Sequence, residues 1–125
     1  MSLWQGTSTR KPSGGRLIKA RGKRRFEVAP EDAETKLGEH TQKLIRTRAG
    51  GQKVKLLATS KINVMDKKTG KAKKATIKTV TENGANIHYV RRNIITKGAV
   101  VDTDMGKVKI TSRPGQSGAL SGVLV

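Results

Sequence analysis

The sequence predicts a mainly β protein: a small barrel-like or sandwich domain of short antiparallel strands, preceded by an extended basic N-terminal arm. Three observations carry this expectation. Apolar content is Val, Ile, Leu and Ala, with β-branched residues prominent after position 44 and only Trp4, Phe26 and Tyr89 as aromatics. Two segments alternate with period two, turning lysines to the wet side. Turn residues separate the apolar runs at the close spacing of small barrels and sandwiches.

The first 25 residues hold eight bases (Arg10, Lys11, Arg16, Lys19, Arg21, Lys23, Arg24, Arg25) and no acid. With Gly6, Gly14, Gly15, Gly22 and Pro12, and almost no apolar periodicity, the segment has too little apolar surface to offset its ordering entropy. Residues 1–26 are therefore expected to form a basic arm that becomes ordered on a polyanion. Residues 27–39 reverse the charge, with Glu27, Glu31, Asp32, Glu34 and Glu39 against Lys36 alone. Pro30 followed by acids suits the first turn of a short helix, with Gly38 available to end it; the other reading is a solvated acidic connector.

Residues 40–125 are expected to be the β-barrel-like domain. Lys53 to Ala58 places Val54 and Leu56 on one face and Lys53 and Lys55 on the other; Lys107 to Thr111 repeats this with Val108 and Ile110 inward. Further strands are expected at 42–47, 61–65, 71–81, 89–95, 99–103 and 119–124. Within 71–81, Ile77 and Val80 break the alternation, which points to a bulge. Asp66 to Gly70 suits a type I turn closed by a left-handed glycine, and Asp104-Met105-Gly106 suits a tighter hairpin. Arg113-Pro114-Gly115-Gln116 suits a type II turn, and residues 82–88 a surface loop.

The net charge of +18, from 27 Lys and Arg against nine Asp and Glu, calls for a polyanionic partner. Nucleic acid is the first such partner and an anionic membrane surface the second. No cysteine is present, so a disulfide framework or cysteine zinc site is excluded, and His40 and His88 alone make a poor metal site. No cofactor is expected. The start lacks the apolar run of a secretory signal, and no stretch reaches membrane-spanning length, which suggests a soluble intracellular protein.

Enzyme chemistry finds no constellation. Between Gly15 and Gly22-Lys23 six residues intervene where a phosphate-binding loop needs four, and Arg24 stands where its Ser or Thr belongs. His88 beside Tyr89 has no evident nucleophile or orienting partner. The positive evidence is three basic clusters. The arm supplies phosphate-neutralising charge of little sequence preference. Arg46, Arg48, Lys53 and Lys55 flank Gly50-Gly51, whose bare backbone can approach phosphates closely. His88, Tyr89, Arg91, Arg92 and Asn93 offer stacking rings, guanidinium forks and an amide, although Tyr89 equally suits a core. In a strand, Arg91 and Arg92 would face opposite ways, one free for RNA and the other for packing or an ion pair.

These residues resemble a family. Trp4-Gln5-Gly6, Arg10-Lys11-Pro12-Ser13-Gly14-Gly15-Arg16 and Ala20-Arg21-Gly22-Lys23-Arg24 are similar to the opening of small-subunit ribosomal protein eight-e, the archaeal and eukaryotic type. Arg46 to Gly51 and Lys53-Val54-Lys55 resemble its central basic signature, and the run from Asn86 to Ala99 is the most specific match. Thr111-Ser112-Arg113-Pro114-Gly115-Gln116 fits its C-terminal turn. The chain departs from the pattern at Ala49, less flexible than expected before Gly50-Gly51, and at Ser117, where an acid is usual.

The resemblance covers almost the whole chain, least distinctively at 27–43, and its lack of a large insertion matches the compact archaeal form. It implies a structural constituent of the small ribosomal subunit, cytoplasmic and within the ribosome, that binds ribosomal RNA beside neighbouring small-subunit proteins. Neither a membrane partner nor a homo-oligomer is expected. The RNA-binding candidates are the eight arm bases, Arg46, Arg48, Lys53, Lys55, His88, Tyr89, Arg91, Arg92 and Asn93, together with Lys97 and Arg113. The rival readings are a biogenesis factor confined to precursor particles and a DNA-compacting chromatin protein.

Overall fold

A computed structural model describes residues 3–67 and 69–125. The chain divides into two compact units, Met1–Asp32 and Ala33–Val125. In the first, β1 (Leu3–Trp4) pairs antiparallel with β2 (Val28–Ala29), and a 3-10 turn at Arg25–Glu27 leads into β2. A second reversal brings Arg10 opposite Arg16, with the amide of Lys11 donating to Gly15 O and that of Gly14 to Lys11 O. Gly14 takes a φ of 85°, which favours glycine. Leu17, Ile18 and Phe26 stay exposed. The arm is thus ordered by local hydrogen bonds and short-range pairing, with no buried side chain among its described residues, and this local order is structure that composition did not reveal.

The second unit joins a four-stranded sheet to a barrel. The sheet has the order β4–β5–β3–β8, from β3 (Thr35–Lys36), β4 (Thr41–Arg46), β5 (Gln52–Ala58) and β8 (Ile94–Ile95). Strands β4 and β5 form an antiparallel hairpin around a 3-10 turn at Arg48–Gly50. Short β3 enters between β5 and β8 because fully buried Thr35 donates its hydroxyl to Leu56 O at 2.6 Å. That bond satisfies a polar group which would otherwise be costly to bury.

The barrel closes in the order β10–β11–β6–β7–β9, from β6 (Lys61–Met65), β7 (Ala72–Glu82), β9 (Val100–Thr103), β10 (Gly106–Ile110) and β11 (Ser121–Leu124). Inward positions of β6, β7, β9 and β10 meet in one core (Ile62 and Val64; Ala75, Ile77 and Val80; Val101; Val108 and Ile110), with Leu124 of β11 packed against it. Leu56, Ile95 and Leu120 extend that core under the sheet. Each large aliphatic side chain removed from water contributes about 1.5–3 kcal/mol. Gly122 is where β11 crosses closest: a Cβ there would lie 2.5 Å from Val108 Cγ1 and 2.9 Å from Lys109 O.

Comparison with the sequence expectations is specific. Strand β6 falls at the expected residues, and β5 and β10 present the expected faces. The bulge in β7 is present, with register shifts between Ile77 and Thr79 and between Val80 and Glu82. Gly70 closes the β6–β7 turn at φ 65°, its amide donating to Asp66 O; Lys68, within that turn, lies outside the described residues.

Three expectations need correction. No helix forms at 30–34; an isolated turn of that length is marginal, and the chain runs extended into β3. Residues 89–95 are not one strand: α1 (His88–Arg91) is a helical turn, Asn93 takes a left-handed φ of 49°, and only Ile94–Ile95 pair. Asn86 starts this turn, its Oδ1 accepting the His88 amide at 2.9 Å. Residues 113–116 are not a type II turn. Pro114 opens the helical turn α2 (Pro114–Ser117), and Gly118 supplies the positive φ, 68°, at its end. Two pairings are also parallel, β11 with β6 and β3 with β5, among otherwise antiparallel ladders.

Substituting Gly122→Ala in the full chain should lower stability by roughly 1–3 kcal/mol, because the methyl meets backbone as well as side chain. Urea unfolding checks this; an unchanged midpoint would mean that β11 can move away from β10 without cost.

Candidate nucleic-acid interface

In the arm, Arg10, Lys11, Arg16, Lys23, Arg24 and Arg25 are exposed. Three bases make contacts within the unit: Arg10 donates to Gly14 O at 3.1 Å, and two more are held by side chains. Arg21 grips Glu27 with both guanidinium nitrogens, at 2.6 and 3.2 Å, and Lys19 lies over the Trp4 ring. The backbone amide of Arg24 also donates to Glu27, and together with the Arg21 guanidinium it holds this carboxyl below its ordinary value of 4.5. Trp4 Nε1 donates to Thr7 O at 2.7 Å, which fixes the ring beneath Lys19.

The β4–β5 hairpin displays the second cluster. Arg46 and Arg48 are exposed at its tip, where Ala49 is held at φ 59° and Gly50 at φ 72°. Ala49, noted above as a departure, therefore occupies a left-handed position that glycine adopts with less strain. Lys53 is exposed on β5, and half-buried Lys55 stands directly opposite Lys43 of β4. Like charges placed opposite one another repel, so this pair costs the free protein stability. The expected set omitted Lys43. Turn α2 packs against β5, and Lys53 Nζ donates to Gln116 Oε1 at 3.4 Å, so exposed Arg113 at the start of α2 belongs beside the hairpin.

The third cluster departs most from expectation. His88 and Arg91 are exposed on α1, and Tyr89 is half-buried. Arg92 pairs with Glu34, so the opposite-face argument fails with the strand, although one arginine of the two does make an ion pair. Both partners are partly exposed, so the pair contributes at most about 1 kcal/mol. Asn93 is half-buried and structural: its Oδ1 accepts from the Val80 amide at 3.4 Å, and its own carbonyl accepts from Leu37. Lys97 is exposed in the turn before Gly98.

Lysines of the barrel surface also escaped the expected set. Lys61, Lys73, Lys74, Lys78, Lys107 and Lys109 are all exposed on β6, β7 and β10. Among the described residues no group of three His, Asp or Glu side chains is placed to hold a metal ion, and no helix is long and apolar enough to cross a membrane.

The chain is similar throughout its length to proteins of one family. The family model described as ribosomal protein S8e matches residues 4–125. The chain is 51% identical to the small ribosomal subunit protein eS8 of Methanococcus aeolicus, covering 100% of this chain and 98% of that one. It is 50% identical to eS8 of Methanosarcina barkeri, with 98% of each covered, and 50% identical to eS8 of Methanosphaera stadtmanae, with 100% and 99% covered.

Because Glu27 is held ionised, its contribution is present above 4.5 and is lost as pH falls through its depressed folded value. Carboxyl NMR titration should place Glu27 below 4.5, and acidification past that point should loosen the β1–β2 pairing before the barrel. An ordinary titration would show that the Arg21 and Arg24 contacts do not persist in solution.

Proposed function

Because the chain belongs to the ribosomal protein S8e family, we propose that it is a structural constituent of the small ribosomal subunit that binds and stabilises folded ribosomal RNA. The observation that carries this reading is the directly opposed Lys43 and Lys55, continued by Arg46, Arg48, Lys53 and Arg113 around one hairpin. A phosphate backbone removes the repulsion that the free protein bears, and the bound state gains what the free state lost. Arg91, Lys97 and exposed His88 add contacts from the α1 side, and Tyr89 offers part of its ring for stacking.

The arm supplies the remaining charge. Six of its eight bases face solvent, since Arg21 serves Glu27 and Lys19 covers Trp4. At roughly 0.7–0.9 log units per phosphate contact, all eight would give a salt slope near −6, and the six exposed ones about −4 to −5. The protein resides on this reading in the cytoplasmic ribosome, among other small-subunit proteins.

High-salt-washed ribosome fractionation tests the assignment. Stoichiometric retention in mature small subunits is the expected result, whereas presence in precursor peaks alone would make the protein a biogenesis factor. Replacing Arg10, Lys11, Arg16, Lys23, Arg24 and Arg25 by Gln should flatten the salt dependence of RNA binding by about 4 units; an unaltered slope would remove the arm from the interface. Lys43→Glu should raise the stability of the free protein by about 0.2–1 kcal/mol while weakening RNA binding. Weaker binding without the gain in stability would deny the repulsion argument.

A further inference from the structure

Of the three aromatic side chains, Trp4 and Tyr89 are half-buried, whereas Phe26 is 68% exposed. A single exposed apolar residue is ordinary on a protein surface, so exposure alone assigns nothing. What distinguishes Phe26 is how its backbone is held and what surrounds its ring. It is the middle residue of the 3-10 turn Arg25–Glu27. The Glu27 amide donates to Arg24 O at 3.0 Å, and the Arg24 amide donates to Glu27 Oε2 at 3.1 Å, so the turn is closed twice. Its end is anchored where the chain enters β2, the Gln5 amide donating to Glu27 O at 2.8 Å. The Arg21 guanidinium carbon lies over the Phe26 ring, 5.7 Å from its centroid, while the guanidinium nitrogens grip Glu27. The carboxylate next to the ring in sequence is therefore paired, and Lys23, Arg24 and Arg25 before it are exposed.

We infer that Phe26 is a stacking platform for one unpaired base of the bound RNA, with Arg21 backing the ring. Arg21 takes one face of the ring as a cation–π partner and restrains its orientation. The exposed remainder is left for the flat face of a base, and Lys23, Arg24 and Arg25 stand beside it in the chain to meet the phosphates on either side. A base inside a continuous helix has both faces covered by its neighbours, so the platform selects unpaired RNA. It reads no base edge, and it accepts any base because every base offers a π face. An apolar pocket on a neighbouring protein is a poorer match, since a rim of three cations resists the loss of water that such a pocket requires. The platform adds a contact that distinguishes single-stranded from paired RNA to an arm whose other contacts are electrostatic. It rests on the RNA-binding reading above.

Phe26 is the only phenylalanine of the chain, so phenylalanine-specific ring ¹³C labelling of the full-length protein gives a single probe. The labelled protein is titrated with single-stranded oligoadenylate, with duplex RNA of the same length and with inorganic polyphosphate. A saturable upfield shift of the ring protons with the single strand, absent with duplex and polyphosphate, is the expected outcome. Against a small-subunit ribosomal RNA transcript, Phe26→Leu keeps apolar bulk but removes the π face. It should lose on the order of tenfold in affinity with an unchanged salt slope, while Phe26→Tyr should bind as the unaltered protein does. An equal ring shift with polyphosphate, no ring shift while the arm amides respond, or full transcript affinity in Phe26→Leu would overturn the platform and leave RNA binding by the arm and hairpin intact. Full transcript affinity in Phe26→Leu together with poorer incorporation into subunits would assign the ring to a neighbouring protein instead. Failure of the unaltered protein to bind the transcript would overturn the proposed function, and the platform with it.

Discussion

The pairing of β11 with β6 turns an open run of short strands into a barrel, and it depends on how closely β11 can approach β10 at Gly122. Strands of four or five residues bury little apart from one another. Closed on themselves, they bring Ile62, Val64, Val101, Val108 and Ile110 into a single core and leave no edge within the barrel. The chain's last strand meets the first barrel strand in parallel, so closure joins distant parts of the sequence. The four-stranded sheet is then fixed onto this body through Leu56, Ile95 and Leu120, and the basic hairpin is fixed with it.

Charge is distributed so that the few acids serve position. Glu27 ties the arm's return strand to Arg21, and Glu34 meets Arg92 after α1. Both pairs are at least partly exposed and modest in energy, yet each sets the direction of an arginine-rich segment. Most of the other described cations are exposed, and Lys43 and Lys55 stand directly opposed. A protein that maximised its own stability would not keep this arrangement; one that completes its structure against a polyanion would.

Residues that resemble one another chemically have separate tasks here. Asn93 and Asn63 both carry an amide, but Asn93 spends its oxygen on the Val80 amide and its backbone on a left-handed corner, whereas Asn63 is exposed on β6 opposite Lys74. Lys19 covers Trp4 while its neighbours in the arm face solvent. Counting basic residues measures the capacity for binding; the placement of each decides how much of that capacity is available.

The sequence alone determined the mainly β class, the inward and outward faces of β5 and β10, the bulge in β7 and the glycine-closed turn after Asp66. Each follows from neighbours a few residues apart: alternation, its interruption, or a backbone conformation that only certain residues accept. It also determined the net charge of +18, from which a polyanionic partner is expected, since net charge is a sum over residues and independent of the fold. Only the tertiary structure decided that Thr35 and Lys36 become a strand, because their partners Ala58, Ile94 and Ile95 are distant in sequence and outweigh a weak local preference for a helical turn. The same holds for the opposition of Lys43 and Lys55 and the corner at Asn93. These depend on register between strands and on burial, and a one-dimensional pattern records neither.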